Sequence, residues 1–345
     1  MKLTFSLLHV PFKVAFKHNS ASRSESSTFW VEAEELSIMG SGEGCPRIYV
    51  TGETEESCVA FFHQWKLEWE ELTTLSQLKA WIDHHSEEID ANPSAWCAVE
   101  MAILDLWAQR SQVSVPALLG IPRATRSIIY SAVLGDASPD VWKQLCQWHL
   151  KQEMFHFKLK VNGDESIDCA RIEYILAHCP QADIRLDANN LWQDVKSAAL
   201  FLERMSDAVW AIEEPLSFPN WKGLNELANL FSGSIILDEH ACRVQDLDHV
   251  EQPAKMILNL RVSKCGGIIR SIAMAKAALR KGMKVIVGAQ VGESSALTRA
   301  GIMVVHALDG NVLAIEGGYG LNLLNEDYFR ELYQFGHGGK LSFTF

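Results

Sequence analysis

The sequence predicts an α/β protein: a (β/α)8-type TIM barrel, preceded by a separate α+β domain. Two patterns carry the prediction. First, from Ser127 onward short apolar strands recur with helix-length segments between them. The repeat is about 25 residues, the length one βα unit of a barrel needs. Second, the first hundred residues lack this rhythm and read as antiparallel strands followed by helices.

Taken in order, "TFWVEAEEL" (28–36) alternates as a strand does, and "GSGEGCPRIYVTGET" (40–54) reads as a Gly/Pro loop. Helices are expected over "EESCVAFFHQWKLEWEEL" and "TLSQLKAWIDHHSEEI". "PSAWCAVEMAILDLWAQRSQ" (93–112) is apolar on most faces, which predicts a buried helix. Barrel strands are expected at "SIIYSAVLG", "HFKLKV", "DIRLDA", "AVWAIEEP", "SIILDE", "KMILNLRV" and "KVIVGA". Alternating β and α segments with buried strands imply a parallel sheet, and seven or eight units imply closure. No Gly-x-Gly-x-x-Gly marks a strand-to-helix turn, which argues against a dinucleotide fold. The expected domains are 1–122 (capping), 123–325 (barrel) and 326–345, a tail returning to the first domain.

Composition narrows the function classes. A net charge of −12 over 345 residues argues against nucleic acid, which needs a basic face. No stretch is long enough for a membrane helix, and Pro11 and two lysines interrupt the apolar N-terminus, so no signal peptide is expected. The eight cysteines form no C-x-x-C pair and lie in apolar segments, as buried thiols of a reducing compartment do. A cytoplasmic protein is expected. A homo-oligomer is also expected, since eleven tryptophans and a 48% hydrophobic share permit an interface.

The chemistry of a barrel lies at the C-terminal ends of its strands. There the sequence places Lys158 and Lys160, then Asp187, then Glu213 and Glu214, then Asp238 and Glu239, then Lys264. Side chains alternate along a strand, so Lys158 and Lys160 share a face. Within "IEEP", Glu213 shares a face with Ala211 and is expected to point inward. One acid at a strand end is an ordinary turn residue. Three consecutive strands ending on acids, bracketed by lysines, indicate a site for a hard cation such as Mg2+, with Mn2+ as a substitute. The absence of His and Cys from the set argues against zinc.

These motifs, "KLK" (158–160), "LDAN" (186–189), "IEEP" (212–215), "LDE" (237–239) and "SKCGG" (263–267), resemble the enolase superfamily and, within it, the muconate lactonizing enzyme subgroup. "AVEMAILDLWAQ" (98–109) with "VPALLG" (115–120), and "GEGCPRIYVTGET" (42–54), extend the resemblance to the first domain. It implies abstraction of a proton α to a carboxylate through an enediolate, with Asp187, Glu213 and Asp238 holding the metal, chemistry familiar for that class. It further implies that Lys160 is the base and that Lys158 lies near the substrate carboxylate. Lys264 on the opposite side would complete a two-lysine racemase or epimerase of an amino-acid-like or dipeptide substrate. Two other readings stay open: a muconate-type cycloisomerase or o-succinylbenzoate synthase-type dehydratase, and a noncatalytic metal-binding barrel.

Lys17, His18 and Arg23, in a segment (16–27) resembling a loop that closes over substrate, are candidates for substrate binding. So are Ser131, Glu293 and Glu316. Asn189 and Glu239 are expected to support the base or the metal. The dipeptide epimerases carry an Asp-x-Asp at the last strand, where this chain offers only Glu316.

Overall fold

In the computed structural model, the residues described are all except 19–20, 123–127, 206, 319–322, 330–333 and 343–345; the side chains of 14–18, 21–23, 334–335 and 342 are also left out. The first domain comprises β1 (Lys2–His18), β2 (Ala21–Glu35), β3 (Ile38–Gly44), α1 (Glu55–Glu70), α2 (Leu75–His84), α3 (Ser86–Ala91), α4 (Pro93–Arg110) and α5 (Val115–Leu118). The strands form an antiparallel sheet in the order β1-β2-β3. Part of the expected Gly/Pro loop is therefore strand. The reason is a close approach: Gly40, Gly42 and Gly44 lie on one face of β3, where any Cβ would overlap backbone atoms of Leu106, Ala98 and Ser94 on α4. The glycines read as turn residues in isolation, but they serve sheet-to-helix contact. As expected for a helix apolar all round, α4 is buried at every residue from Pro93 to Leu104.

The barrel follows. Its elements are β4 (Ile128–Ile129), β5 (Ala132–Leu134), α6 (Pro139–Lys151), β6 (His156–Lys160), α7 (Glu165–His178), β7 (Asp183–Asp187), α8 (Val195–Met205), β8 (Ala211–Glu213), α9 (Trp221–Leu230), β9 (Ser234–Leu237), β10 (Met256–Leu260), α10 (Gly267–Arg280), β11 (Lys284–Val287) and α11 (Ser295–Ala307). Strands β5 to β11 run parallel in chain order. The segment 313–316 closes the ring: Leu313 and Glu316 donate backbone hydrogen bonds to β11, and the Ser131 amide donates to Ile315 O. Eight strand positions thus form one barrel.

The tail contributes β12 (Gln334–Phe335) and β13 (Lys340–Ser342), and β13 pairs with β4. Contact with the first domain comes earlier, where Lys13 N donates to Leu323 O and Asn325 N to Pro11 O.

Two buried carboxylates of the first domain dock it onto the barrel. Glu43 accepts from Ser294 N and Leu297 N at the start of α11, and Glu100 accepts from Ile268 N and Ile269 N at the start of α10. Helix N-termini leave amides unpaired and carry positive potential, so carboxylates suit them. Burial nonetheless raises the Glu100 pKa from 4.5 to about 7.

An acid whose pKa is raised on folding binds its proton more tightly when folded. The protein therefore loses stability as pH rises from the unfolded value through the folded one. Glu100→Gln should abolish a loss of up to about 3 kcal/mol between pH 5 and 8. Urea unfolding of wild type and variant at the two pH values checks this: the variant should be the more stable at pH 8, with the gap closing at pH 5.

Candidate active site

The mouth of the barrel gathers the charged strand ends. Lys158 and Lys160 both point inward from β6 and are 3% and 8% exposed. β-Sheet register sets Lys160 beside Asp187 on β7, and Asp187 beside Glu213 on β8. Glu213 is the inward acid, as its shared face with Ala211 predicts. Glu214 turns away with φ +41° and its carboxylate accepts from His240 N and pairs with the His240 ring. Asp238 follows β9.

One ammonium organises the cluster. Lys158 Nζ lies 2.8 Å from Glu213 Oε2, 3.1 Å from Asp187 Oδ2 and 3.3 Å from Glu316 Oε2. Burial alone would weaken its hold on the proton, but these three carboxylates more than reverse that and raise its pKa. Lys160 differs. Burial lowers its pKa, Asp187 opposes this, and Lys158 adds to it, so it lies below the ordinary lysine value. Its Nζ donates to Asn189 Oδ1 at 2.7 Å. A lysine that yields its proton more readily than usual, beside a permanent ammonium, has the character of a general base. Asn189 thus holds the Lys160 ammonium. For Asp187 the effect of burial is overcome by Lys158 and Lys160, which hold its carboxyl below the usual range. Burial, reinforced by Glu214, pushes Glu239 up to about 8.

Asp187, Glu213 and Asp238 offer oxygen donors only. Among the described residues no three acidic, imidazole or thiol groups close around a single point. Instead Lys158 spans Asp187 and Glu213, and Arg261 spans Glu213 and Asp238. Glu213 Oε2 and Asp238 Oδ2 touch these cations yet accept no well-directed hydrogen bond. A buried, all-oxygen, acid-rich set with open acceptor positions fits Mg2+.

Several candidates are placed elsewhere. Lys264 is fully buried in the turn after β10 and does not line the mouth cavity. Ser131 precedes β5, at the far end of the barrel from the mouth, and accepts a hydrogen bond from Arg185. It is a partner of that arginine and does not line the mouth cavity. Glu316 lines the cavity, but Arg185 and Lys158 bind its two oxygens at 2.7 and 3.3 Å, which leaves little of its charge for a substrate ammonium. Glu293 is buried and tied to its own loop through Gln290 N at 2.9 Å. Residues 16–18 and 21–23 continue the β1–β2 hairpin in paired register, where a loop was expected; the side chains of Lys17, His18 and Arg23 lie outside the described residues. Tyr49 of the first domain and Arg261 both face the cavity, and sequence reasoning passed over both. The signal for Arg261 was present: it stands at the C-terminal end of a barrel strand, as Lys160, Asp187, Glu213 and Asp238 do.

Residues 141–341 match the enolase C-terminal domain-like family. The chain belongs to this family. It is 26% identical over 276 residues to a hydrophobic dipeptide epimerase of Enterococcus faecalis, covering 79% of this chain and 76% of that protein. It is 30% identical over 200 residues to muconate cycloisomerase 1 of Rhodococcus opacus, covering 56% and 53% of the two chains. The crystal structure of the Enterococcus faecalis dipeptide epimerase, complexed with Mg and the dipeptide L-Leu-L-Tyr, superposes with a TM-score of 0.87 at 22% identity over 99% of this chain and 96% of that one. The enolase-superfamily barrel with its capping domain is thus the fold of this chain.

If Lys158 is the shared counter-ion of three carboxylates, Lys158→Met takes the common cation from Asp187, Glu213 and Glu316 and leaves them with only their longer or outer partners. Removing one partner of a buried pair costs about 3–5 kcal/mol. The variant should melt well below wild type in chelator at pH 8, and Mg2+ should recover part of the loss. Scanning calorimetry with and without Mg2+ checks both points.

Proposed function

We propose that this chain is a Mg2+-dependent isomerase that removes the proton α to the carboxylate of a small amino-acid-like or dipeptide acid and epimerises that carbon. The observation that carries the proposal is Lys160: a buried lysine with lowered pKa, held by Asn189 at the cavity, beside strand-end carboxylates suited to a divalent cation. Asp187, Glu213 and Asp238 would hold the ion. Bound there, Mg2+ supplies positive charge where negative charge develops on the substrate carboxylate. Lys160 takes the α-proton on its Nζ, Asn189 keeps that nitrogen aimed at the cavity, and a proton from solvent water delivered to the opposite face of the enediolate completes the inversion. Lys158 keeps its proton and holds the carboxylates in register. The named activity of the Enterococcus faecalis relative supports a dipeptide-like substrate.

A second possibility, cycloisomerisation, is favoured by the position of Lys264, which cannot serve as a second base from where it is held. The Rhodococcus opacus relative is named for such a reaction. No helix among the described residues is long and apolar enough to cross a membrane. We place the enzyme in the cytoplasm on its acidic charge and its mostly buried free thiols, and as a homo-oligomer on its eleven tryptophans and large apolar share.

The test is proton exchange. With Mg2+ in D2O, a library of dipeptides and N-acyl amino acids should contain acids whose α-hydrogen is replaced by deuterium, read by NMR. Chelation should stop the exchange, and Lys160→Ala should slow it by at least about 1,000-fold, within the range for loss of a general base. Absence of exchange across the library with folded, Mg2+-loaded protein would rule the proposal out.

A further inference from the structure

Two cations follow β10, and they are placed differently. In a ring of eight strands, β6 and β10 stand four positions apart in either direction, so their ends face each other across the mouth. Arg261 is the first residue after β10. Its Nη1 donates to Gln290 Oε1 at 3.0 Å, and its Nη2 touches Asp238 and lies 3.8 Å from Glu213 Oε1. Its Nε is buried without a hydrogen-bond partner. It lines the cavity together with Lys158, Lys160, Asp187 and Asn189.

Lys264 lies in the turn that follows, and its side chain folds back beneath the mouth. Its Nζ has Asp238 O at 2.7 Å, Asp238 Oδ1 and Asn259 O at 2.9 Å, and Ala241 O at 3.0 Å. An ammonium has three protons to donate. Four oxygens already compete for them, at zero exposure. To reach a substrate, Lys264 would have to abandon a set of buried charged hydrogen bonds. Arg261 is held less completely: Nη1 and Nη2 have Gln290 and Asp238, while Nε has no hydrogen-bond partner and the side chain borders the cavity.

We infer that Arg261, not Lys264, is the cation that faces Lys160 across the mouth and contacts the substrate, while Lys264 is a structural ammonium tying the ends of β9 and β10 together. The inference rests on the proposed proton-abstraction chemistry and adds a substrate feature to it. A guanidinium is a planar fork that matches a carboxylate or another planar anion with two parallel hydrogen bonds. The substrate should therefore present such a group on the side of the mouth opposite Lys160. With Arg185 and Lys158 already on Glu316, an acid without a free ammonium, such as an N-acyl amino acid, suits this mouth.

The experiment compares Arg261→Met, Arg261→Lys and Lys264→Met in the full chain, with two readouts. The first is the melting midpoint in chelator. Arg261→Met removes one of the two cations on Asp238 and should lower the midpoint by clearly less than Lys264→Met, which should fall by about 5 °C or more, the scale expected for a broken buried charge cluster. Failure of Lys264→Met to accumulate as folded protein counts with a fall. The second readout is kcat/KM for α-proton exchange of an N-acyl amino acid with Mg2+. It should drop at least 100-fold in Arg261→Met, mostly through KM, and recover at least tenfold in Arg261→Lys. Wild-type kcat/KM in Arg261→Met, or an unchanged midpoint in Lys264→Met, overturns the inference. So does a fall in the midpoint of Arg261→Met that matches the one in Lys264→Met. Should wild type exchange no acid at all, the proposed chemistry fails, and the midpoints still judge the two roles.

Discussion

The constraint on which the rest depends is that the barrel mouth buries several carboxylates at once. Desolvating a single carboxylate is expensive unless a partner offsets it. Here the offset is shared: Lys158 binds Asp187, Glu213 and Glu316 from three different strand positions, and Arg261 and Lys264 bind Asp238. Each acid is held by a cation on another strand, so the charges also fix how the strands close. The arrangement leaves Lys160 as the lysine whose proton is loosened, because burial and the neighbouring cations Lys158 and Arg261 outweigh Asp187 and Glu213. Stability and chemistry therefore share one set of residues.

The first domain is joined to this mouth by the same kind of interaction. Glu43 and Glu100 place carboxylates on the starts of α11 and α10, and Arg47 reaches Val291 O in the loop after β11. These contacts bring the loop carrying Tyr49 over the cavity. The glycine face of β3 lets α4 lie close enough for Glu100 to reach α10. A domain that contributes none of the strand-end acids thus helps to shape the cavity around them.

Much of the site was legible in the sequence, for a physical reason. In a parallel barrel every strand ends at the same rim, so a charged residue at each strand end is a statement about one place. Lys158, Lys160, Asp187, Glu213 and Asp238 follow from that rule, and period-two alternation separates Glu213 from Glu214. The rule weakens where the chain leaves the strand. Arg261 and Lys264 are three residues apart, and only the turn between them decides which crosses the mouth and which folds beneath it. Ser131 and Glu316 failed in another way: each looks available until Arg185, from the middle of β7, is found bound to both.

The sequence by itself determined the fold class, the helical nature of α4 and the row of strand-end charges, because periodicity and strand order are local properties that survive without coordinates. Only the tertiary structure decided how those charges pair. Pairing depends on distances across the barrel, where an ångström separates a shared counter-ion from an idle one. It therefore decided that the glycines of β3 are a packing surface, that Glu316 is already held, and that of two neighbouring cations the arginine faces the cavity while the lysine is enclosed by oxygens.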